Sequence, residues 1–324
     1  MSSKSDQIHV VVRRFAVLTC FVALLPISIG ALVTTLKAGM SFADWPTSDG
    51  QNMLLYPWLN DFRNTDKFVE HGHRLAGILI GFVSIGLTFV AFRFEKRAWV
   101  RICSVGILIA VIGQGLLGGM RVRMNEQILA MIHSITGGLF FTMCFIFAML
   151  VNRTAPSDAD VKDTRFSLSG FAIGVLLPFA VLCQYVLGGF FRHLGRMLHE
   201  HVVGAIIVTL LTCCVVALLA RSELPRLRRR SKWLGGALIV QVGLGLGAWV
   251  TKLGLPAFGW VAHVNSPAQN ITCSLHTVGG MFLLATASAA AVELCLSARQ
   301  GRLSVLSEAF SSSGNLTSSQ GGAA

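Results

Sequence analysis

Hydrophobic residues along this chain fall into eight long runs separated by short polar connections. They cover roughly residues 11–36, 70–92, 99–120, 126–151, 166–190, 198–220, 233–252 and 270–297. Crossing a hydrocarbon core takes about 20 apolar residues at 1.5 Å of rise each, and every run meets that length. Lipid offers a backbone no hydrogen-bond partner, so such segments must be helices, and the alternation that marks barrel strands is missing. The pattern predicts an all-α polytopic membrane protein with eight transmembrane helices. The first run is long enough to span and lacks a convincing small-residue cleavage site, so it reads as a retained helix and not a signal peptide.

Basic residues sort to alternate connections. Lys4, Arg13 and Arg14 sit at the start, the second connection reads RFEKRAWVR, and the fourth holds Arg153, Lys162 and Arg165. The sixth reads RSELPRLRRRSK, and Arg299 and Arg302 follow the eighth run. Positive charge so distributed marks the cytoplasmic side. A multi-pass protein of the cell inner (plasma) membrane with both termini in the cytoplasm is therefore expected, although Arg121 and Arg123 weaken the asymmetry.

The polar fourth connection, residues 153–165, reads as a cytoplasmic linker between an N-terminal unit (1–152) and a C-terminal unit (166–300). Residues 301–324, rich in Ser, Gly and Ala, have the composition of a disordered tail. The two units carry the same motifs in the same order. His71 and His73 match His199 and His201; Gln114 and Gly118 match Gln241 and Gly245. His133 with Gly137 and Gly138 matches His276 with Gly279 and Gly280. This order predicts two pseudo-symmetric four-helix bundles in parallel repeat.

Only 13% of the residues are charged, against roughly 25% in soluble domains. The net charge of +12 accordingly reads as membrane topology, and no nucleic-acid partner is expected. The eight cysteines form no CxxC or CxxCH, which leaves disulfide frameworks, zinc sites and covalent haem attachment unsupported. They read as small buried apolar residues; Cys273 stands out only for its closeness to His276.

The chemistry lies in four histidines just inside the even-numbered runs: His73 in EHGHRLAG, His133 in IHSITGG, His201 in LHEHVVGA and His276 in LHTVGG. An imidazole in hydrocarbon needs partners for its nitrogens and is a functional candidate by default. Gly77, Gly137, Gly204 and Gly279 follow within a turn and would clear room for a flat macrocycle, although small residues also serve plain helix packing. Cofactors of four-helix bundles sit between side chains on facing helices. His73 with His133, and His201 with His276, would each clamp one haem iron from both faces, an arrangement suited to electron transfer. Residues two apart on a helix point about 200° apart, so His71 and His73 cannot serve one iron. His73 is preferred for its Gly77, and His201 over its competitor His199 for its Gly204. His9, His193 and His263 are expected in loops or helix ends, in contact with solvent.

Glu70, three residues before His73 and four before Arg74, shares a helix face with both. It reads either as a first-turn carboxylate paired with Arg74 or as an acid/base or cation-stabilising group beside a substrate. The second unit has Leu198 at the matching place, which suggests one reacting haem and one that exchanges electrons. Arg74 and Arg192 are candidates for haem propionates or for interfacial snorkelling.

These residues resemble the haem A synthase family, membrane enzymes that convert haem O to haem A for cytochrome oxidase. The likeness covers all eight spans and is sharpest in GALVTTLKAGMSFADWPTSDGQ (residues 30–51), in Glu70-x-x-His73-Arg74, in QGLLGG (114–119) and in IHSITGG. It implies a substrate haem O held by His73 and His133, and a resident haem b on His201 and His276. It further implies that Glu70 acts in oxidising the C8 methyl of the ring through an alcohol to a formyl group. Partners implied are membrane lipid, a haem O synthase and cytochrome oxidase assembly factors, with a homo-oligomer left open. The chain departs from many relatives in lacking a cysteine pair in residues 41–69 and in its short connection between the fifth and sixth spans. Two other classes remain open on the residues alone. A non-catalytic dihaem b electron carrier needs the four histidines without Glu70, and a transporter with paired repeats would use them to relay protons.

Overall fold

The computed structural model describes residues 7–153, 164–300 and 303–306. Its long helices are α1 (Val10–Leu36), α2 (Thr65–Phe94), α3 (Ala98–Met124), α4 (Gln127–Val151), α5 (Leu168–Leu194), α6 (Leu198–Ala220), α7 (Pro225–Leu253) and α8 (Pro267–Arg299). Each is long and apolar enough to cross a membrane, so the protein is an all-α polytopic membrane protein.

Several helices outrun their apolar stretches, and their caps explain why. Asn64 accepts from the Lys67 amide and starts α2 ahead of the hydrophobic run. Pro225 opens α7, where a missing N–H is harmless, and the helix takes in the whole basic RLRRRSK segment. Ser266 caps α8 at the Gln269 amide, with Pro267 behind it. Gly195 ends α5 in the left-handed conformation, which glycine adopts without strain. His193 consequently lies in the last turn of α5, a helix end as expected, but with its Nε2 buried and not solvated.

Between α1 and α2 a hairpin of β1 (Thr47–Ser48) and β2 (Gln51–Asn52) turns at Asp49 and Gly50, both at positive φ. Asp-Gly favours such primed turns. Strand β3 (Thr164–Ser167) pairs in parallel with β4 (Leu303–Leu306), so part of the expected tail has regular structure. The remainder of the tail and of the 153–165 linker lies outside the described residues.

In the first half α1 packs on α2, α2 on α3, α3 on α4, and α4 back on α1; α5 to α8 close in the same order. The two rings meet where α8 lies against α1 and α4, and where α4 lies against α5. Helix α8 is the most buried span, and its small-residue run ATASAAAV permits close backbone approach. One core gathers Leu87, Ile107, Phe141 and Phe147 with Met281 of α8; the other gathers Leu177, Val215, Leu234 and Leu294. Phe21, Phe82, Phe89, Phe179 and Ile239 point outward, as lipid-facing side chains do.

At the end remote from the four histidines, Arg153 donates to Glu293 of α8 at 2.9 Å. Arg230 stands 4.0 Å from the other carboxylate oxygen. Glu293 is fully enclosed, so this ion pair ties the rings together. All eight cysteines are free thiols. Cys144 and Cys273 are buried, but Cys183, Cys213, Cys214 and Cys295 are exposed, contrary to the expectation of burial.

Candidate functional site

The structure places the four histidines in two facing pairs, each reaching across the middle of a helix ring. The ring centres of His73 and His133 lie 6.1 Å apart with planes at 88°. Those of His201 and His276 lie 6.2 Å apart at 81°.

Each imidazole rests on the helix that precedes its own in the chain. His73 Nδ1 donates to the Pro26 carbonyl of α1 at 2.9 Å, and a Cβ on Gly30 would stand 2.7 Å from His73 Cε1. His201 Nδ1 lies 3.0 Å from the side-chain amide of Gln184, and its ring packs on Gly188 of α5. His133 and His276 face the main chains of Gln114 and Gln241 without closing a full bond at Nδ1. Their rings pack on Gly118 and Gly245. The rule is the same four times: a backing residue, then a glycine one turn on, then an imidazole from the next helix. Of the glycines expected to clear room, Gly137, Gly204 and Gly279 face the side chains of Gln114, Gln184 and Gln241, and only Gly77 borders open space. Gln184/Gly188 repeats the Gln-x-x-x-Gly spacing of Gln114/Gly118 and Gln241/Gly245, and Pro26/Gly30 completes the set with proline in place of glutamine.

Glu70 and Arg74 form a buried ion pair at 2.9 Å. The second Glu70 oxygen accepts from the Ser41 amide at 2.6 Å and the Phe42 amide at 3.2 Å. Arg74 also donates to the carbonyls of Asp44 and Thr47 at 2.9 and 2.8 Å and lies over the Phe42 ring. Together they pin the α1–α2 loop onto α2, while Trp45 of the same loop packs on Gly119 of α3. Arg74 is thereby committed to the protein itself, and a propionate role for it is not supported. Burial opposes ionisation of Asp44, but hydrogen bonds from Thr47 and the Gly50 and Asp49 amides outweigh it and hold the carboxyl below its usual range. Tyr56, whose hydroxyl donates to Asp61 at 2.7 Å, is pushed well above its ordinary value by burial and by that carboxylate.

Of the other five histidines, all but His193 are kept apart from the pairs. His71 is fully buried under the loop, 3.2 Å from Ser48 Oγ and boxed by Phe42, Tyr56 and Trp58. His199 and His263 are exposed, and His9 stacks on Phe94 at the opposite end. Arg192 donates to the carbonyls of Ala31 and Cys273 and to Thr35 Oγ1, so it joins α5 to α1 and α8.

A ring nitrogen holds a first-row metal at about 2 Å and sits roughly 1 Å from its own ring centre, so two imidazoles on opposite faces of one ion have centres about 6 Å apart. Both pairs have that spacing. Among the described residues no three His, Cys, Asp or Glu side chains gather into a metal cluster. Two histidines therefore suit an ion that brings its equatorial ligands with it, as the iron of a haem does.

Fold and site together define an eight-helix membrane protein with one facing pair of histidines in each ring of four. The model of the COX15-CtaA family, described as cytochrome oxidase assembly protein, matches residues 13–200, and the chain belongs to that family. It is similar to proteins named heme A synthase: 26% identical over 170 residues in Methylobacterium radiotolerans, 28% over 138 in Jannaschia sp., and 34% over 112 in Rhizobium rhizogenes. These stretches cover 50%, 41% and 32% of this chain. They span less than half of each relative: 46%, 36% and 30%.

Proposed function

We propose that this protein is a haem A synthase, an oxidoreductase that converts the C8 methyl of haem O to a formyl group. His73 and His133 hold the substrate, and His201 and His276 hold a haem b. The observation that carries the reading is the pair of imidazole couples at 6.1 and 6.2 Å, each backed from a neighbouring helix. Family membership and the likeness to proteins named heme A synthase support it. The haem b contributes one-electron transfer when bound.

The chain's own residues prepare the site. Donation from His73 Nδ1 to the Pro26 carbonyl leaves Nε2 with its lone pair, the form that ligates a metal. Glu70, one turn from His73 on α2, is fixed in place by Arg74 and two loop amides. A fixed anion there stabilises positive charge developing on the substrate and takes up a proton from it. The same contacts also favour a second reading, in which Glu70 only anchors the loop and the protein is a dihaem b electron carrier. In the proposed setting both termini lie in the cytoplasm of the plasma membrane and the histidine pairs lie toward the outer face, with haem O synthase and oxidase assembly factors as partners.

The test is chromatography of haem extracted from cells that lack their own haem A synthase and express this chain. Haem A in those cells, lost in Glu70→Ala, supports the enzyme. Haem A unchanged in Glu70→Ala favours the carrier, and none with the unaltered chain overturns the proposal.

A further inference from the structure

Two half-buried guanidinium groups stand one turn beyond the glycines that cradle imidazoles. Arg121 lies three residues after Gly118, and Arg192 lies four after Gly188. A turn advances about 5.4 Å along a helix, so each arginine sits just outward of an imidazole cradle. Arg121 hydrogen-bonds only the Gly39 carbonyl at 2.5 Å, and Arg192 only carbonyls and a hydroxyl. Among the described residues neither has a carboxylate within salt-bridge distance, whereas Arg74 is fully engaged by Glu70 and the loop. Glu70 acts on Arg121 only from beyond salt-bridge distance and is itself paired with Arg74, so a guanidinium that meets only neutral oxygens in direct contact keeps its donors for bidentate pairing with a carboxylate.

His193 adds a third group, and it comes from the other half of the molecule. It sits at the outer end of α5 beside Arg192, with Nε2 buried and without a partner. Arg121, Arg192 and His133 all lie within its electrostatic reach. The cluster therefore gathers where the two rings meet, on the outward side of the N-terminal histidine pair.

We infer that Arg121 and His193 form a carboxylate subsite for the N-terminal pair, with Arg192 as the corresponding group of the C-terminal pair. Its ligand is the acid side chain of a tetrapyrrole. The second ring thus supplies a binding residue to the first, and the N-terminal site is incomplete without it. This inference rests on the proposed haem sites, and its test separates the two.

The full-length protein in lipid nanodiscs, carrying His201→Ala and His276→Ala so that only the N-terminal pair can load, is titrated with ferric protoporphyrin IX and with its dimethyl ester. The readout is the bis-imidazole absorption spectrum. The parent should bind the free acid at least about tenfold more tightly than the ester. Arg121→Gln should abolish that preference and His193→Gln should reduce it severalfold, both leaving ester affinity unchanged, which shows the fold intact. If Arg121→Gln also loses the ester, Arg121→Lys decides: retained preference supports the subsite, and lost preference overturns it. Equal binding of acid and ester by the parent, or a preference untouched by both substitutions, overturns the inference alone. No spectrum with either compound overturns it together with the haem reading.

Discussion

Gly30 on α1 lies so close to His73 on α2 that a Cβ there would stand 2.7 Å from Cε1, the tightest of the four glycine–imidazole approaches. A branched side chain at this position must push the ring off its axis. Displacement of a reacting group by about 1 Å costs on the order of 100-fold in rate. Gly30→Val should therefore remove the haem signal of the N-terminal pair and drop haem A formation by about that factor. Gly113→Ala, at an exposed position of α3 where nothing lies within 4 Å, should change neither. Difference absorption spectra of the two variants check the contrast.

His199 and His201 are neighbours in sequence but not in role. His201 faces His276, while His199 is exposed. His199→Ala should keep the C-terminal haem signal at the parent level, and His201→Ala should lose it. Loss in both would show that the helix, and not the imidazole, was being perturbed.

The Glu70–Arg74 pair is buried on both sides, with side chains 3% and 7% exposed. Removing one member leaves a buried charge uncompensated, at roughly 3–5 kcal/mol. Glu70→Ala should thus loosen the loop after α1, which limited proteolysis within residues 38–63 would report. Glu70→Gln, which still accepts from the Ser41 and Phe42 amides, should protect the loop better while still losing haem A formation. If both variants make haem A normally, Glu70 is an anchor and nothing more.

Asp44 has its folded pKa depressed by donors in the hairpin. A depressed carboxylate contributes stability that is complete above its unfolded value, about 3.9, and disappears as pH falls through the lower folded value. The Asp49 and Gly50 amides, which donate to Asp44 at 3.0 and 2.8 Å, should lose hydrogen-exchange protection only on acidification into that range. In Asp44→Asn the protection should no longer vary with pH there.

Arg153 and Glu293 hold the rings together at the end away from the histidines. Glu293→Ala leaves Arg153 without its carboxylate and should lower thermal stability in detergent by the equivalent of about 3 kcal/mol. Both haem spectra should persist at low temperature, because neither residue approaches an imidazole pair.

The eight helices were legible because each apolar run is long enough to leave no alternative in lipid. Helix ends were not: Asn64, Pro225 and Ser266 carry α2, α7 and α8 past their hydrophobic limits. The facing of His73 with His133, and of His201 with His276, followed from helix phase and bundle geometry. What lay hidden was contact between helices distant in sequence. Nothing in the order of residues announces that Gly30 meets His73 or that Arg74 is consumed by the carbonyls of Asp44 and Thr47. His193 looked solvated because the apolar run stops at Phe190, whereas α5 continues one more turn to its Gly195 cap.

Each imidazole owes its aim to a neighbour on another helix, so the vulnerable positions number twice the proposed ligands. A related chain that keeps every histidine yet carries valine or isoleucine at position 30, 118, 188 or 245 should be judged incapable of the chemistry. Inspection of the ligands alone would pass it as intact.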